Sequence, residues 1–281
     1  MIKNIFSQIL DRKRKAIAQL RADPASRNFR ERALEIRKNA EPNRLLRALE
    51  SDSPRLKIIA EFKRRSPSAG IIRDDLTVSE IVRCYERAGA CAISVLTDEE
   101  YFGGSIADLS AARSSTNLPI LRKDFITDPI QILEAATAGA DAVLLIAAAL
   151  DDVVLRRLRA LAEELGLDAL VEVHTSAELS RAVNAGVNLI GVNNRDLRTF
   201  QVSLNTSERL IAEAPRDRIL ISESGLQSGD SLLRLRKLGF RGFLVGEALM
   251  RERDPETALR DLVAAVEDRQ PAGLPTGACQ P

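Results

Sequence analysis

The chain has no tryptophan, one histidine, two methionines, two tyrosines and three cysteines among its 281 residues. Each scarcity excludes something. Cys84, Cys91 and Cys279 are odd in number and show no CxxC spacing, so they form neither a disulfide framework nor a zinc site and read as reduced thiols. The single histidine, His174, would have to serve any Ser-His-Asp triad, and metal sites built on several histidines are excluded. It follows an apolar run and reads as structural, which leaves acid–base work to Glu, Asp and Lys. Charge of one sign is also missing: Lys+Arg total 41 against Asp+Glu 40. There is therefore no global field to draw nucleic acid or an anionic membrane. No run of ~18 apolar residues offers a membrane span. The opening MIKNIFSQILDRKRK lacks the apolar stretch and cleavage site of a secretory signal. A cytoplasmic protein is expected, with neither nucleic acid nor membrane as partner.

Hydrophobic residues make up 45% of the chain, ample for a sizeable core. Residues 1–50 read as helices, with Ile2, Ile5, Phe6, Ile9 and Leu10 at helical spacing and Ile17 and Leu20 continuing the stripe. The basic run from Arg12 to Lys15 reads as a solvated helix face, because the whole chain is near neutral. From Leu56 onward a unit repeats: strand, polar loop, amphipathic helix, glycine, next strand. Gly89, Gly139, Gly166, Gly186 and Gly239 each sit where a positive φ ends a helix, just before a β-rich apolar run. Thr77–Glu80 and Thr175–Glu178 have the form of capping boxes, and Asp128-Pro129 that of an N-cap followed by proline.

Eight strands are predicted, centred near Ile59, Ile93, Ile120, Leu144, Leu170, Ile190, Leu220 and Leu244. Their mean spacing of about 26 residues suits strand–helix units of a parallel sheet. The alternative, an open doubly wound sheet, usually carries GxGxxG or a Walker motif, and neither is present. The fold class is therefore α/β: a single (β/α)8 TIM barrel over residues 51–268. A helical extension over 1–50 packs on it, and residues 269–281, rich in Pro and Gly, form a loose, flexible tail. No second domain is expected. The extension can cover one face or mouth of the barrel, which favours a monomer.

Five of the apolar runs end abruptly in charged or amide groups. They are KIIAEFK (57–63), PILRKDF (119–125), ALVEVH (169–174), LIGVNNR (189–195) and ILISESG (219–225). A buried strand does not end this way unless those groups share partners or a wet cavity. In a barrel all five endings fall on the C-terminal rim, where active sites sit. The strand period of two then turns Glu61 and Lys63 inward together, with Lys123 and Phe125, Glu172, Asn193 and Arg195, and Glu223 and Ser224 following. Two lysines and several glutamates around one cavity make a general acid–base set. Glycine at the strand-to-helix turns of the seventh and eighth units would let backbone N–H groups at Gly225, Gly246 and Glu247 face a phosphate. The basic ring beside Phe125 suits an anionic substrate with an aromatic part. The run from Lys63 to Gly70 reads as a long flexible loop over the site, with Pro67 and Gly70 breaking any helix.

At these residues the chain resembles the indole-3-glycerol phosphate synthases, barrel enzymes of tryptophan biosynthesis. IIAEFKRRSPSAG, ISVLTDEEYFGGS, PILRKDF, VEVH, IGVNNRDLRTF, SESG and LVGEALM occur in that family's order. The resemblance implies a carboxy-lyase that closes, decarboxylates and dehydrates 1-(2-carboxyphenylamino)-1-deoxyribulose 5-phosphate to indole-3-glycerol phosphate, with no metal or organic cofactor. It implies Lys123 as general acid, Glu172 as its partner acid or base, and Lys63 as an anion contact that takes part in dehydration. Glu61 and Asn193 would be catalytic or positioning residues. Ser66, Phe125 and Arg195 would contact substrate, and Ser224, Gly225, Gly246 and the Glu247 backbone would hold phosphate. One departure stands at Ala248, where a small hydroxyl residue is frequent in relatives. A phosphoribosylanthranilate isomerase would need a Cys and Asp pair at strand ends, but the first strand ends in Glu61 and Lys63.

Overall fold

The computed structural model describes residues 5–53 and 55–264. Ile2, Cys279, residues 265–268 and the expected tail at 269–281 lie outside the described residues. Eight strands carry the sheet: β1 (Ile58–Phe62), β2 (Ala92–Leu96), β3 (Ile120–Lys123), β4 (Ala142–Ile146), β5 (Asp168–Val173), β6 (Leu189–Asn193), β7 (Ile219–Glu223) and β8 (Gly242–Val245). Each contains one of the predicted centres. All neighbours are parallel, and β8 pairs back onto β1 with Leu244 opposite Ile59, closing the barrel. The open-sheet alternative is thereby excluded.

Each strand alternates between two cores. Ile58, Ala60, Phe62, Val143, Leu145, Ile190 and Val192 join the outer shell between sheet and helices. Ile59, Leu121, Leu144, Leu170, Leu189, Ile221 and Leu244 fill the interior. The next inward position on several strands is the polar rim, so the same period that packs the core delivers the charges together.

Among the described residues three α-helices precede the barrel: α1 (Ile5–Ala22), α2 (Phe29–Arg37) and α3 (Arg44–Glu50). Eight more alternate with the strands: α4 (Val78–Arg87), α5 (Ile106–Arg113), α6 (Pro129–Thr137), α7 (Asp152–Glu164), α8 (Ser176–Asn184), α9 (Asn205–Glu213), α10 (Gly229–Leu238) and α11 (Pro255–Ala264). All five helix-ending glycines have positive φ. Thr77 and Glu80 form a reciprocal capping box on α4, and Asp128 forms one with Gln131 on α6 behind Pro129. The second expected box differs. Thr175 does cap α8, but the Glu178 carboxylate turns away to the His174 backbone N–H at 2.8 Å and to the His174 ring.

The helices before β1 touch both ends of the barrel. Leu45 and Leu49 of α3 are buried in the interior cluster at the N-terminal end, where Asp168 accepts from the backbone N–H groups of Leu45 and Leu46 at 2.9 and 3.1 Å. Ile9 of α1 joins the same cluster from the C-terminal end, beside Phe125. The Arg12–Lys15 run is not uniformly solvated. Lys13 is only 12% exposed and bridges Asp98 at 3.0 Å and Asp124 at 2.6 Å, just beyond β2 and β3. Cys84 and Cys91 carry free thiols. Among the described residues no helix is long and apolar enough to cross a membrane.

Candidate active site

A cavity of about 270 Å³ opens at the C-terminal rim, and every residue singled out above for catalysis or substrate binding lines it. Its floor is charged. Lys63 Nζ lies 2.8 Å from Glu61 Oε1. Lys123 Nζ sits between Glu172 Oε2 at 3.3 Å and Glu223 Oε2 at 3.2 Å. Asn193 stands beside Glu172 and helps to keep it ionised. One ammonium thus joins carboxylates from β5 and β7, while the second holds the carboxylate of β1.

Burial penalises the charged forms of Lys123, Glu61, Glu172 and Glu223, and the neighbours decide the outcome. For Lys123, burial alone would lower the pKa, but Glu223, Glu172 and Glu61 raise it well above the ordinary lysine range. Burial works against Glu61 and Glu172 too. Lys63 and Lys123 nevertheless hold Glu61 below the usual carboxylate range, and Lys123 and His174 do the same for Glu172. Glu223 goes the other way: burial pushes it up, and Lys123 does not fully offset that against Glu172 and Glu61. The three carboxylates around Lys123 therefore divide into two that are held ionised, Glu61 and Glu172, and one proton-rich member, Glu223.

Two glycines make this crowding possible. A Cβ at Gly191 in β6 would lie 2.1 Å from Glu223 Oε1, and one at Gly246 would lie 2.4 Å from Glu61 Oε1. Gly246 has φ −129°, so closeness to Glu61, not a left-handed turn, requires glycine there. Gly225 does take positive φ, as does the preceding Ser224 at 66°, a conformation uncommon for a residue with a side chain.

The walls come from the loops. The run from Lys63 to Gly70, expected as a long flexible loop over the site, forms a short hairpin whose two-residue strands Arg65–Ser66 and Gly70–Ile71 pair. Arg64 pins it to Asp108 through two bonds of 2.7 and 2.8 Å. Arg195 spans three loops, donating to Ser68 Oγ at 3.1 Å and to the Phe200 carbonyl, and reaching Glu247 at 3.5 Å. The Glu247 carboxylate is further engaged by Arg251 at 2.9 Å. Phe125 is flanked by Phe6 and Phe102 with ring centroids 6.2 Å away in each case.

Not every feature of the site was legible. Glu223 was expected to turn inward, yet nothing in its run says that it meets Lys123. His174, read as structural, places Nε2 3.4 Å from Glu172 Oε1. Phe6 and Ile9 of α1 line the cavity although they lie about 50 residues before the first strand ending. Ile9, Lys13 and Ile17 recur every fourth residue, and that spacing is the signal that placed Lys13 on the buried face.

The closed barrel, with its ionisable side chains gathered around a cavity on the C-terminal rim, has the layout of a barrel enzyme. A family model described as indole-3-glycerol phosphate synthase matches residues 6–262, and the chain belongs to that family. The indole-3-glycerol phosphate synthase of Albidiferax ferrireducens is 50% identical over 207 residues, covering 74% of this chain and 78% of the relative. That of Bacteroides thetaiotaomicron is 42% identical over 266 residues, covering 95% of this chain and all of the relative (100%). Among solved structures, a thiamine phosphate pyrophosphorylase from Pyrococcus furiosus superposes with a TM-score of 0.58 at 18% identity, over 76% of this chain and 96% of its own. A 3-hexulose-6-phosphate synthase from Salmonella typhimurium also gives 0.58, at 16% identity, over 76% and 100%. These two likenesses concern the fold alone.

Proposed function

We infer that this chain carries out the reaction named for its family: conversion of 1-(2-carboxyphenylamino)-1-deoxyribulose 5-phosphate to indole-3-glycerol phosphate, with loss of carbon dioxide and water. The observation that carries the reading is the position of Lys123, whose ammonium lies between Glu172 and Glu223 at the bottom of the rim cavity. Ring closure forms a bond between the aromatic carbon and the ribulose carbonyl carbon, and negative charge develops on the carbonyl oxygen. An ammonium supplies both charge and proton there. Its raised pKa keeps Lys123 protonated in the resting site, and an alkoxide is basic enough to take that proton.

The remaining roles follow from place and charge. Glu172 exchanges protons with Lys123: loss of carbon dioxide restores the benzene ring, and Glu172 then accepts the carbon-bound proton that is lost together with the hydroxyl in dehydration. Lys63 contacts the substrate's anionic groups and assists departure of the hydroxyl as water. Glu61 holds Lys63, and Asn193 holds Glu172. Phe125 faces the aromatic ring, while Ser66 and Arg195 face the anthranilate carboxylate. Ser224, Gly225, Gly246 and the backbone of Glu247 take the phosphate. The Glu247 carboxylate is occupied by Arg195 and Arg251, which keeps it from repelling that phosphate. Anchoring both anionic ends holds the reacting carbons together, the entropic part of catalysis. No metal or organic cofactor belongs to this reading. It also takes residues 1–50 as an extension that works with the barrel of 51–268, in a monomer located in the cytoplasm.

Purified protein mixed with the substrate and a chelator should develop indole fluorescence. Lys123→Ala should lower kcat by roughly 10²–10⁴ with substrate binding retained. Unchanged turnover in that variant would sink the assignment of Lys123, and a flat signal from the wild-type protein with bound substrate would sink the enzymatic reading.

A further inference from the structure

The ring of His174 is placed with more constraint than a merely structural histidine needs. It lies just beyond β5, two residues after Glu172, and only 12% of its side chain is exposed. Glu178, in the first turn of α8, accepts from the His174 backbone N–H at 2.8 Å and faces Nδ1 at 3.2 Å. A carboxylate only accepts, so Nδ1 carries a proton. On the other side of the ring Nε2 lies 3.4 Å from Glu172 Oε1, and it has no hydrogen-bond partner in the resting site. The remaining oxygen of Glu172 faces Lys123 at 3.3 Å. A chain of groups therefore runs Glu178, His174, Glu172, Lys123, Glu223, from a half-buried helix start into the reacting centre.

We propose that His174 is a positioning residue for the inferred reaction: an imidazole clamped by Glu178 that fixes the Glu172 carboxylate against Lys123 and links it to Glu178 at the edge of the site. The proposal rests on the reading of Glu172 given above.

The geometry sets the protonation state. A neutral ring with its proton on Nδ1 would turn the Nε2 lone pair toward a carboxylate oxygen, which is repulsive. Protonation at Nε2 turns that contact into an attraction. Glu178 from α8, Glu172 from β5 and, more weakly, Glu223 from β7 favour the charged ring. The Lys123 ammonium stands on the other oxygen of Glu172. Burial opposes a charged ring, but Glu178 and Glu172 prevail, and His174 is raised above its ordinary 6.5. The positive ring in turn helps Lys123 keep Glu172 ionised. Substrate adds further negative charge to the cavity, so a second cation beside Glu172 keeps Lys123 from being its only counter-charge.

The chain has one histidine, so its ring signals need no assignment. Nitrogen-15 NMR of the imidazole should show a proton on Nδ1 and a titration midpoint above 6.5 in the wild type. Glu178→Gln and Glu172→Gln should each move that midpoint down. A midpoint at or below the ordinary value, or one indifferent to both substitutions, overturns the clamp whether or not the protein makes indole. For catalysis, His174→Gln should lower kcat about tenfold, the scale on which partners of a reacting group act, with a smaller change in KM. The acidic limb of its kcat–pH profile should move to higher pH, because Glu172 has lost a positive neighbour. An unshifted profile with unchanged kcat overturns the positioning role. If the wild type binds substrate without turnover, the function reading fails while the NMR result still decides the clamp.

Discussion

At the scale of single residues, the site depends on what two glycines leave out. Gly191 sits in the middle of a buried strand, where glycine weakens the element and packs nothing. The reason for it is Glu223: a methyl group there would displace Oε1, the tip of a flexible side chain, and with it the contact to Lys123. Gly191→Ala should therefore fold with Tm within about 4 °C of wild type, a loss near 1 kcal/mol. Its kcat should fall by at least about tenfold, because the Lys123 counter-charge is misplaced. Gly246→Ala differs, since its Cβ would also press on Glu61 Cβ at 2.9 Å, which cannot swing away. That variant should lose stability as well as activity. Thermal unfolding and steady-state kinetics on both proteins check the contrast; equal Tm losses would mean that the Glu223 carboxylate is not free to yield. The rim charges themselves were legible, because a polar ending on an apolar strand is visible in one dimension. Gly191 was not, since its partner is on the next strand and nothing local marks the approach.

At the scale of elements, the strand and helix pattern was readable because each unit repeats the same periodicity and stop signal, down to the positive φ of the glycines that end the helices. The attachment of α1 was less so. A run of adjacent basic residues looks like a solvated face until the helix is seen to place Ile9, Lys13 and Ile17 on one side. Lys13 then fastens α1 to Asp98 and Asp124 at the ends of β2 and β3, while Arg122 makes a second contact with Asp124 at 3.1 Å. Lys13→Met leaves two buried carboxylates short of a cation, which should cost about 3 kcal/mol in urea denaturation. Phe6 and Ile9 ride on the same helix and line the cavity. The variant should therefore raise KM more than it lowers kcat. A stability loss with KM unchanged would show that α1 holds its place over the rim without this anchor.

At the scale of the whole molecule, the helices before β1 bind one end of the barrel through Lys13 and Asp124 and the other through Asp168, and these two carboxylates respond to pH in opposite directions. At Asp124 burial is overcome by Lys13 and Arg122, and the group is held down to about 2 against an ordinary 3.8. Its contribution is complete above 3.8 and is lost as pH falls toward 2. At Asp168 burial prevails over the N–H groups of Leu46 and Leu45, Asp141 adds repulsion, and the carboxyl is pushed up to about 6. Between 3.8 and 6 the folded protein keeps a proton that the unfolded chain has released. Stability therefore falls as pH rises through that window, by about 2–3 kcal/mol at most from this group. Asp168→Asn keeps an oxygen to accept from α3 and removes the buried charge. Denaturation at a series of pH values should show that the variant gains on wild type as pH rises from about 4 to 6, and that both lose stability together below about 4. Asp168→Ala, which leaves both N–H groups without an acceptor, should be less stable than Asp168→Asn at every pH, by roughly 1–3 kcal/mol. A constant difference between Asn variant and wild type across the series would mean that Asp168 stays ionised under α3, its charge held by the helix start despite the burial.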